Sequence, residues 1–179
     1  LEINDDELVF LFVGRMMWYK NIKLIMDALR LLPTDFKYKM IFVGDGYDRP
    51  AMENYAKHIG ISKKCIFTGA IYDREKLRDY YSISDLFVFP STYDTSGLVV
   101  MEAAATCLPA ILVEKSCAAE GIIHNRNGFL CLENEVSLKD NILQAVSDRD
   151  RLKQIGKTAQ EEVYCSWEES VRKANERYK

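Results

Sequence analysis

The sequence predicts an α/β domain built on one doubly wound parallel sheet with helices on both faces. Three observations carry this: short apolar runs without polar interruption, longer amphipathic stretches between them, and Gly or Pro at many of the joints. A run such as LVFLFV (8–13) is apolar on both faces, as a central parallel strand is when helices cover each side. Alternation of strand and helix points to a parallel sheet, because each parallel pair needs a crossover long enough to hold a helix.

The elements follow in order. Residues 21–32 place Ile22, Ile25, Met26, Leu29 and Leu32 on one helical stripe, which Pro33 ends. KMIFV (39–43) is the second strand, followed by a helix over 49–59 with Gly60 at its carboxyl end. CIFT (65–68), a helix over 73–82 and DLFVFP (85–90) continue the pattern. A helix near 98–106 leads into PAILV (109–113), and GFLCL (128–132) is the last strand. Residues 137–179 read as two or three helices, with Ser166 as N-cap of WEESVRKANERY. No repeat or linker interrupts this order, so the 179 residues form one Rossmann-like domain. Ligands of such sheets sit outside the carboxyl ends of the strands, so functional residues are expected just after the apolar runs.

Composition removes several classes. A hydrophobic fraction of 48% with 28% charged residues is that of a globular domain, not of a disordered or collagen-like chain. No apolar run approaches the length of a membrane span, and the acidic, polar start is the reverse of a secretory leader. A start at Leu1 rather than Met suggests a piece of a longer protein. The net charge of −3 argues against nucleic acid as a partner. The five cysteines (65, 107, 117, 131, 165) form no CxxC pair and read as buried small apolar side chains in a reducing, cytoplasmic compartment. His58 and His124 lie far apart without an acidic or Cys partner at ligand spacing, so no metal site is expected.

Three stretches could carry chemistry. VGRMMWYKN follows the first strand: Gly14 permits a close turn, and Arg15 and Lys20 put two cations near a helix start, suited to a diphosphate. The same pair also reads as solvated charges flanking a loop. VGDGYD follows the second strand, where Gly44 lacks the third glycine of a dinucleotide fingerprint, and no glycine–lysine–hydroxyl run makes a P-loop. In FTGAI, Gly69 and Ile71 lie just beyond a strand, where backbone could meet a flat base.

The third stretch, FPSTYDTSGLVVMEAAATCLPAI (89–111), is the most informative. Asp94 and Glu102 are separated by seven residues, with Ser96 and Gly97 leading into a helix. The amides of Gly97, Leu98 and Val99 are the free donors of that helix start, suited to phosphate oxygens. Glu102, in the second turn, can accept both hydroxyls of a ribose, and Asp94 can accept hydroxyls of a second sugar. A surface acid and a turn-forming Asp are the plain alternatives.

The ordered set VGR–KN, VGDG, FTGAI, SDLFVFPS, acid–seven–Glu, EAAATCLP, AAEGI, NGFL and SWEE resembles the C-terminal domain of family-4 glycosyltransferases of the GT-B fold. The resemblance spans essentially the whole chain. It implies a donor-binding domain (1–179) of a retaining hexosyltransferase that uses a nucleotide-diphosphate sugar, most often UDP-linked, without a metal. Arg15 and Lys20 would then bind the diphosphate, Glu102 the ribose, and Asp94 the transferred sugar together with the Gly97, Leu98 and Val99 amides. The acceptor would belong to an N-terminal domain absent from this chain, which alone is expected to be inactive. DRD at 148–150 lies in a polar helical tail and is not a metal motif.

Three positions depart from the family pattern: Asp94 in place of Glu, Ser96 in place of an aromatic, and Cys107 in place of a glycine. They bear on which sugar is carried. SCAAEG (116–121) is similar to a subgroup acting on lipid or cell-envelope acceptors, which implies a peripheral position at the inner face of the membrane. The alternatives are a GT-B relative acting as a nucleotide-sugar epimerase and a non-catalytic nucleotide-binding domain.

Overall fold

The computed structural model describes residues 3–94, 97–165, 171, 172, 175 and 176. Among the described residues, strands and helices run in the order β1 (Leu8–Val13), α1 (Ile22–Arg30), β2 (Tyr38–Val43), α2 (Arg49–His58), β3 (Cys65–Gly69), α3 (Arg74–Ser82), β4 (Leu86–Phe89), α4 (Leu98–Ala105), β5 (Ala110–Val113), β6 (Phe129–Cys131), α5 (Glu135–Val146) and α6 (Arg149–Glu162). The strands form one parallel sheet in the order β3-β2-β1-β4-β5-β6. The doubly wound α/β domain read from the sequence is the fold. Helix α1 packs against α2 and α5, and α4 packs against α6, which covers the sheet on both sides.

Burial explains why the strands read clearly. Every residue of β1, β4 and β5 is buried, so apolar side chains are required on both faces. The registers that set Phe42 opposite both Phe12 and Phe67 stack an aromatic row across three strands, with ring centroids 6.1 Å and 4.9 Å apart. Fully burying Phe12 and Phe42 contributes roughly 1.5–3 kcal/mol each, and the half-buried Phe67 contributes less. Asp85 joins β4 to β1 at the other edge: its Oδ2 accepts from the Val9 amide at 2.8 Å, and its own amide donates to Val9 O at 2.7 Å.

Several boundaries differ from the sequence reading. Helix α1 begins at Ile22 because Asn21 has φ 58, a left-handed conformation that a helix excludes. It ends at Arg30, where Leu31 and Leu32 turn back to Ala28 O and Leu29 O, ahead of Pro33. Helix α5 starts at Glu135 rather than 137, since Asn134 caps it through the Ser137 amide at 2.8 Å. Asp148 of the DRD run caps α6, accepting from the amides of Asp150 and Arg151. The expected N-cap Ser166 lies outside the described residues. Among the described residues, no helix is long and apolar enough to cross a membrane.

Two glycines show how closely the elements approach. A Cβ at Gly44 would stand 1.9 Å from Gly14 O, and its φ of 139 is one that only glycine adopts easily. The loop after β2 is thereby pressed onto the loop after β1. A Cβ at Gly156, inside α6, would stand 2.0 Å from Cys107 O, so α6 meets the end of α4 backbone to side-chain-free backbone. Cys107 has φ 58, which is the physical reason a glycine suits that position.

Candidate functional site

The strand order reverses between β1 and β4, and the chain leaves these neighbours in opposite directions. Their carboxyl ends therefore open a crevice, the place where doubly wound sheets bind ligands. Gly14, Arg15 and Lys20 lie in the loop after β1, and Asp94 in the loop from β4 to α4.

The two loops meet. Lys20 Nζ donates to Asp94 Oδ1 at 2.5 Å, with side-chain exposures of 13% and 21%. At this burial the pair is shielded from bulk water, and its attraction exceeds that of a surface ion pair. Asp94 Oδ2 is buried and has no hydrogen-bond partner among the described residues. An ammonium carries three donors, so Lys20 keeps donors beyond the one given to Asp94. Arg15 is exposed, and its side chain makes no hydrogen bond or ion pair among the described residues.

Asn21, which the sequence reading did not single out, fastens this arrangement. Its Nδ2 donates to Pro90 O at 3.0 Å and to Glu133 Oε1 at 2.6 Å, and Thr92 Oγ1 lies 3.5 Å from the same carboxylate oxygen. The loops after β1, β4 and β6 are thus tied beside Lys20. Its legible signal is an Asn between a cation and a helix start, since Asn tolerates the left-handed conformation found there.

Helix α4 opens toward the same crevice. Its N-cap, Gly97, supplies no side-chain cap, and its carbonyl accepts from Val100 and Met101. The amides of Gly97, Leu98 and Val99 find no acceptor among the described residues. They carry the positive end of the helix dipole. A Cβ at Gly97 would stand 3.2 Å from Ala118 O, so the helix start is pressed against the turn at 117–119. Ser96 lies outside the described residues.

Glu102 is exposed in the second turn of α4, and Tyr81 Oη donates to its Oε2 at 2.9 Å. It lines a pocket of about 460 Å³ with Ile71, Tyr72, Arg74, Leu77 and Tyr81. A second cleft of about 340 Å³ shares Arg74 and Glu102 and adds Leu98 and Tyr164. The structure therefore brings Ile71 and Glu102 to one pocket. It gives Gly44 and Gly69 a different place: they bond to each other, Gly44 N to Gly69 O at 2.9 Å, and line neither cleft. Gly44 is a packing position on Gly14.

Other expected features resolve structurally. His124 Nδ1 accepts from the Leu130 amide at 3.0 Å, and its ring meets Phe129 edge-on. Asn127 of NGFL is buried and bonds Gly121 O, the Ile123 amide and Glu162. The cysteines are not uniformly buried: Cys131 is, Cys117 is exposed, and the others are intermediate. Burial pushes the thiols of Cys65 and Cys131 up to about 12, which leaves them as packing groups rather than nucleophiles. Among the described residues no three His, Cys, Asp or Glu side chains gather as a metal-binding group.

The family model described as "Glycosyl transferases group 1" matches residues 1–162. The chain belongs to that family. An uncharacterized glycosyltransferase of Methanocaldococcus jannaschii is 28% identical over 180 residues, covering 99% of this chain and 46% of that protein. The C-terminal domain of a group 1 family glycosyl transferase from Francisella tularensis, LpcC, matches with a TM-score of 0.79 at 21% identity, over 90% of this chain and 86% of that one. The Anabaena protein HepE, solved in complex with UDP and glucose, matches with a TM-score of 0.78 at 23% identity, over 87% of this chain and 43% of that one. At such identities the two structures show the fold, that of the C-terminal domain of GT-B glycosyltransferases. The group 1 chain spans about half the length of the M. jannaschii relative and of HepE.

Proposed function

We propose that this group 1 chain is the donor-binding half of a family-4 type, retaining glycosyltransferase that takes a nucleotide-diphosphate sugar, UDP-linked, and needs no metal. One observation carries the reading: Lys20 and Asp94 meet at the β1/β4 switch point, with Asp94 in the loop that leads to the α4 amides, which have no acceptor among the described residues. HepE, a protein of the same fold, was solved with UDP and glucose, which agrees with a uridine nucleotide here.

Each group has a task in that reading. Arg15 and the remaining donors of Lys20 take the diphosphate, with the Gly97, Leu98 and Val99 amides. As the anomeric C–O bond breaks, negative charge grows on the outer phosphate, and these fixed donors stabilise it. Removing one preorganised donor of this kind costs roughly 3–4 kcal/mol of barrier in known enzymes. Asp94 Oδ1 holds Lys20 while the buried Oδ2 accepts a hydroxyl of the transferred sugar. Glu102 accepts the ribose hydroxyls, and the base lies against Ile71 in the adjoining pocket. Two cations and a helix start supply the charge that a divalent ion supplies in metal-dependent transferases. The acceptor, of lipid or cell-envelope type, is held by a second domain, at the inner face of the membrane.

Calorimetry of the chain with UDP, GDP and ADP in EDTA tests this. Binding is expected in every case in which the diphosphate is present, tightest for UDP. Binding that appears only after magnesium or manganese is added contradicts the metal-free clamp.

A further inference from the structure

Tyr81 lies in the last turn of α3 and is 3% exposed, with its ring 5.7 Å from that of Phe87. A phenol buried to this extent needs an acceptor for its hydroxyl. Its acceptor is not a core group but Glu102, an exposed carboxylate on the neighbouring helix, 2.9 Å away. Burial first, then the charge of Glu102 and the bond to it, push the phenol's pKa up, so the hydroxyl keeps its proton and remains a donor.

The bond has a consequence for the carboxylate. A glutamate on a helix surface samples several rotamers, and ordering such a side chain on binding costs free energy. Tyr81 holds Oε2 and leaves Oε1 without a partner among the described residues. Both clefts that flank the α3/α4 seam are lined by this one carboxylate.

We propose that Tyr81 is a positioning residue of the ribose site, preordering Glu102 and so setting how strongly the chain separates a ribose from a sugar lacking its hydroxyls. The proposal rests on the reading of Glu102 as the ribose acceptor. Tyr81 lines the same pocket as Glu102, but Tyr81→Phe keeps its ring there and alters only the hydroxyl bonded to the carboxylate. It acts through the carboxylate, so its removal affects only ligands that use the carboxylate.

Tyr81→Phe keeps the ring against Phe87 and removes only the hydroxyl. The test measures dissociation constants of UDP and 2′,3′-dideoxy-UDP for the wild type, Tyr81→Phe, Glu102→Ala and the double variant, with melting temperatures alongside. The wild type is expected to prefer UDP. Tyr81→Phe is expected to weaken UDP about three- to tenfold, the net scale of one hydrogen bond, and to leave the dideoxy nucleotide unchanged. In the Glu102→Ala background the same change is expected to be silent. Full retention of the UDP preference in Tyr81→Phe overturns the proposal, as do equal losses for both nucleotides that follow a fall in melting temperature. A wild type that binds both nucleotides equally removes the ribose reading of Glu102 first, and this assignment with it.

Discussion

At Lys20 and Asp94 the geometry separates what holds the loop from what serves the ligand. Lys20→Ala strands a largely buried carboxylate with neither oxygen partnered among the described residues, a loss of about 1–3 kcal/mol in folding stability. Asp94→Asn is gentler, because the amide oxygen still accepts from Lys20, although the charge is lost and the second oxygen is replaced by an amide donor. Urea unfolding is expected to rank the two variants in that order. If the proposed donor site is right, Asp94→Asn in the complete enzyme is expected to lower turnover more than UDP affinity, since the proposal gives the buried Oδ2 to the transferred sugar. Reduced UDP affinity with turnover unchanged contradicts that role and makes Asp94 a nucleotide ligand or a loop cap.

Between elements, contact distance overrules propensity. Gly156 lies inside α6, where alanine is the better helix former by about 1 kcal/mol. Its Cβ position, however, falls 2.0 Å from Cys107 O, and overpacking of this kind typically costs about 1–3 kcal/mol. Gly156→Ala is therefore expected to lower stability in urea unfolding; a more stable variant contradicts the α4–α6 packing described here. The same contrast explains what the sequence made legible. LVFLFV reads as a central strand because burial on both faces demands an unbroken apolar run, and α1 reads from the stripe of Ile22, Ile25, Met26 and Leu29, all buried in the fold. The start of α1 did not read, because it is set by the left-handed Asn21, whose partners Pro90 and Glu133 are 69 and 112 residues away. Gly44, read from the sequence as a ligand-side glycine, also packs on Gly14 O, and a tight turn over a phosphate and one over a carbonyl require the same residue. The sequence singles out Asp94 and Glu102 by spacing, but their partners Lys20 and Tyr81 come from other elements, and only the fold reveals the pairings.

On the scale of the whole molecule, the strand order β3-β2-β1-β4-β5-β6 sets the loops after β1 and β4 and the start of α4 around the switch-point crevice at the carboxyl ends of the central strands. Residues 15, 20, 94, 97–99 and 102 come from two loops and one helix start, all at the carboxyl edge or one turn beyond it. If that crevice binds a nucleoside diphosphate, its two ends do different work: Lys20 meets phosphate, and Glu102 meets ribose. Calorimetry with UDP and with uridine, on the wild type, Lys20→Ala and Glu102→Ala, measures this directly. Lys20→Ala is expected to weaken UDP by about 1.5–3 kcal/mol and to leave uridine unchanged, since uridine carries no phosphate. Glu102→Ala is expected to weaken both by a similar amount. Equal losses for UDP and uridine in both variants would contradict the division of the crevice into a phosphate end and a ribose end.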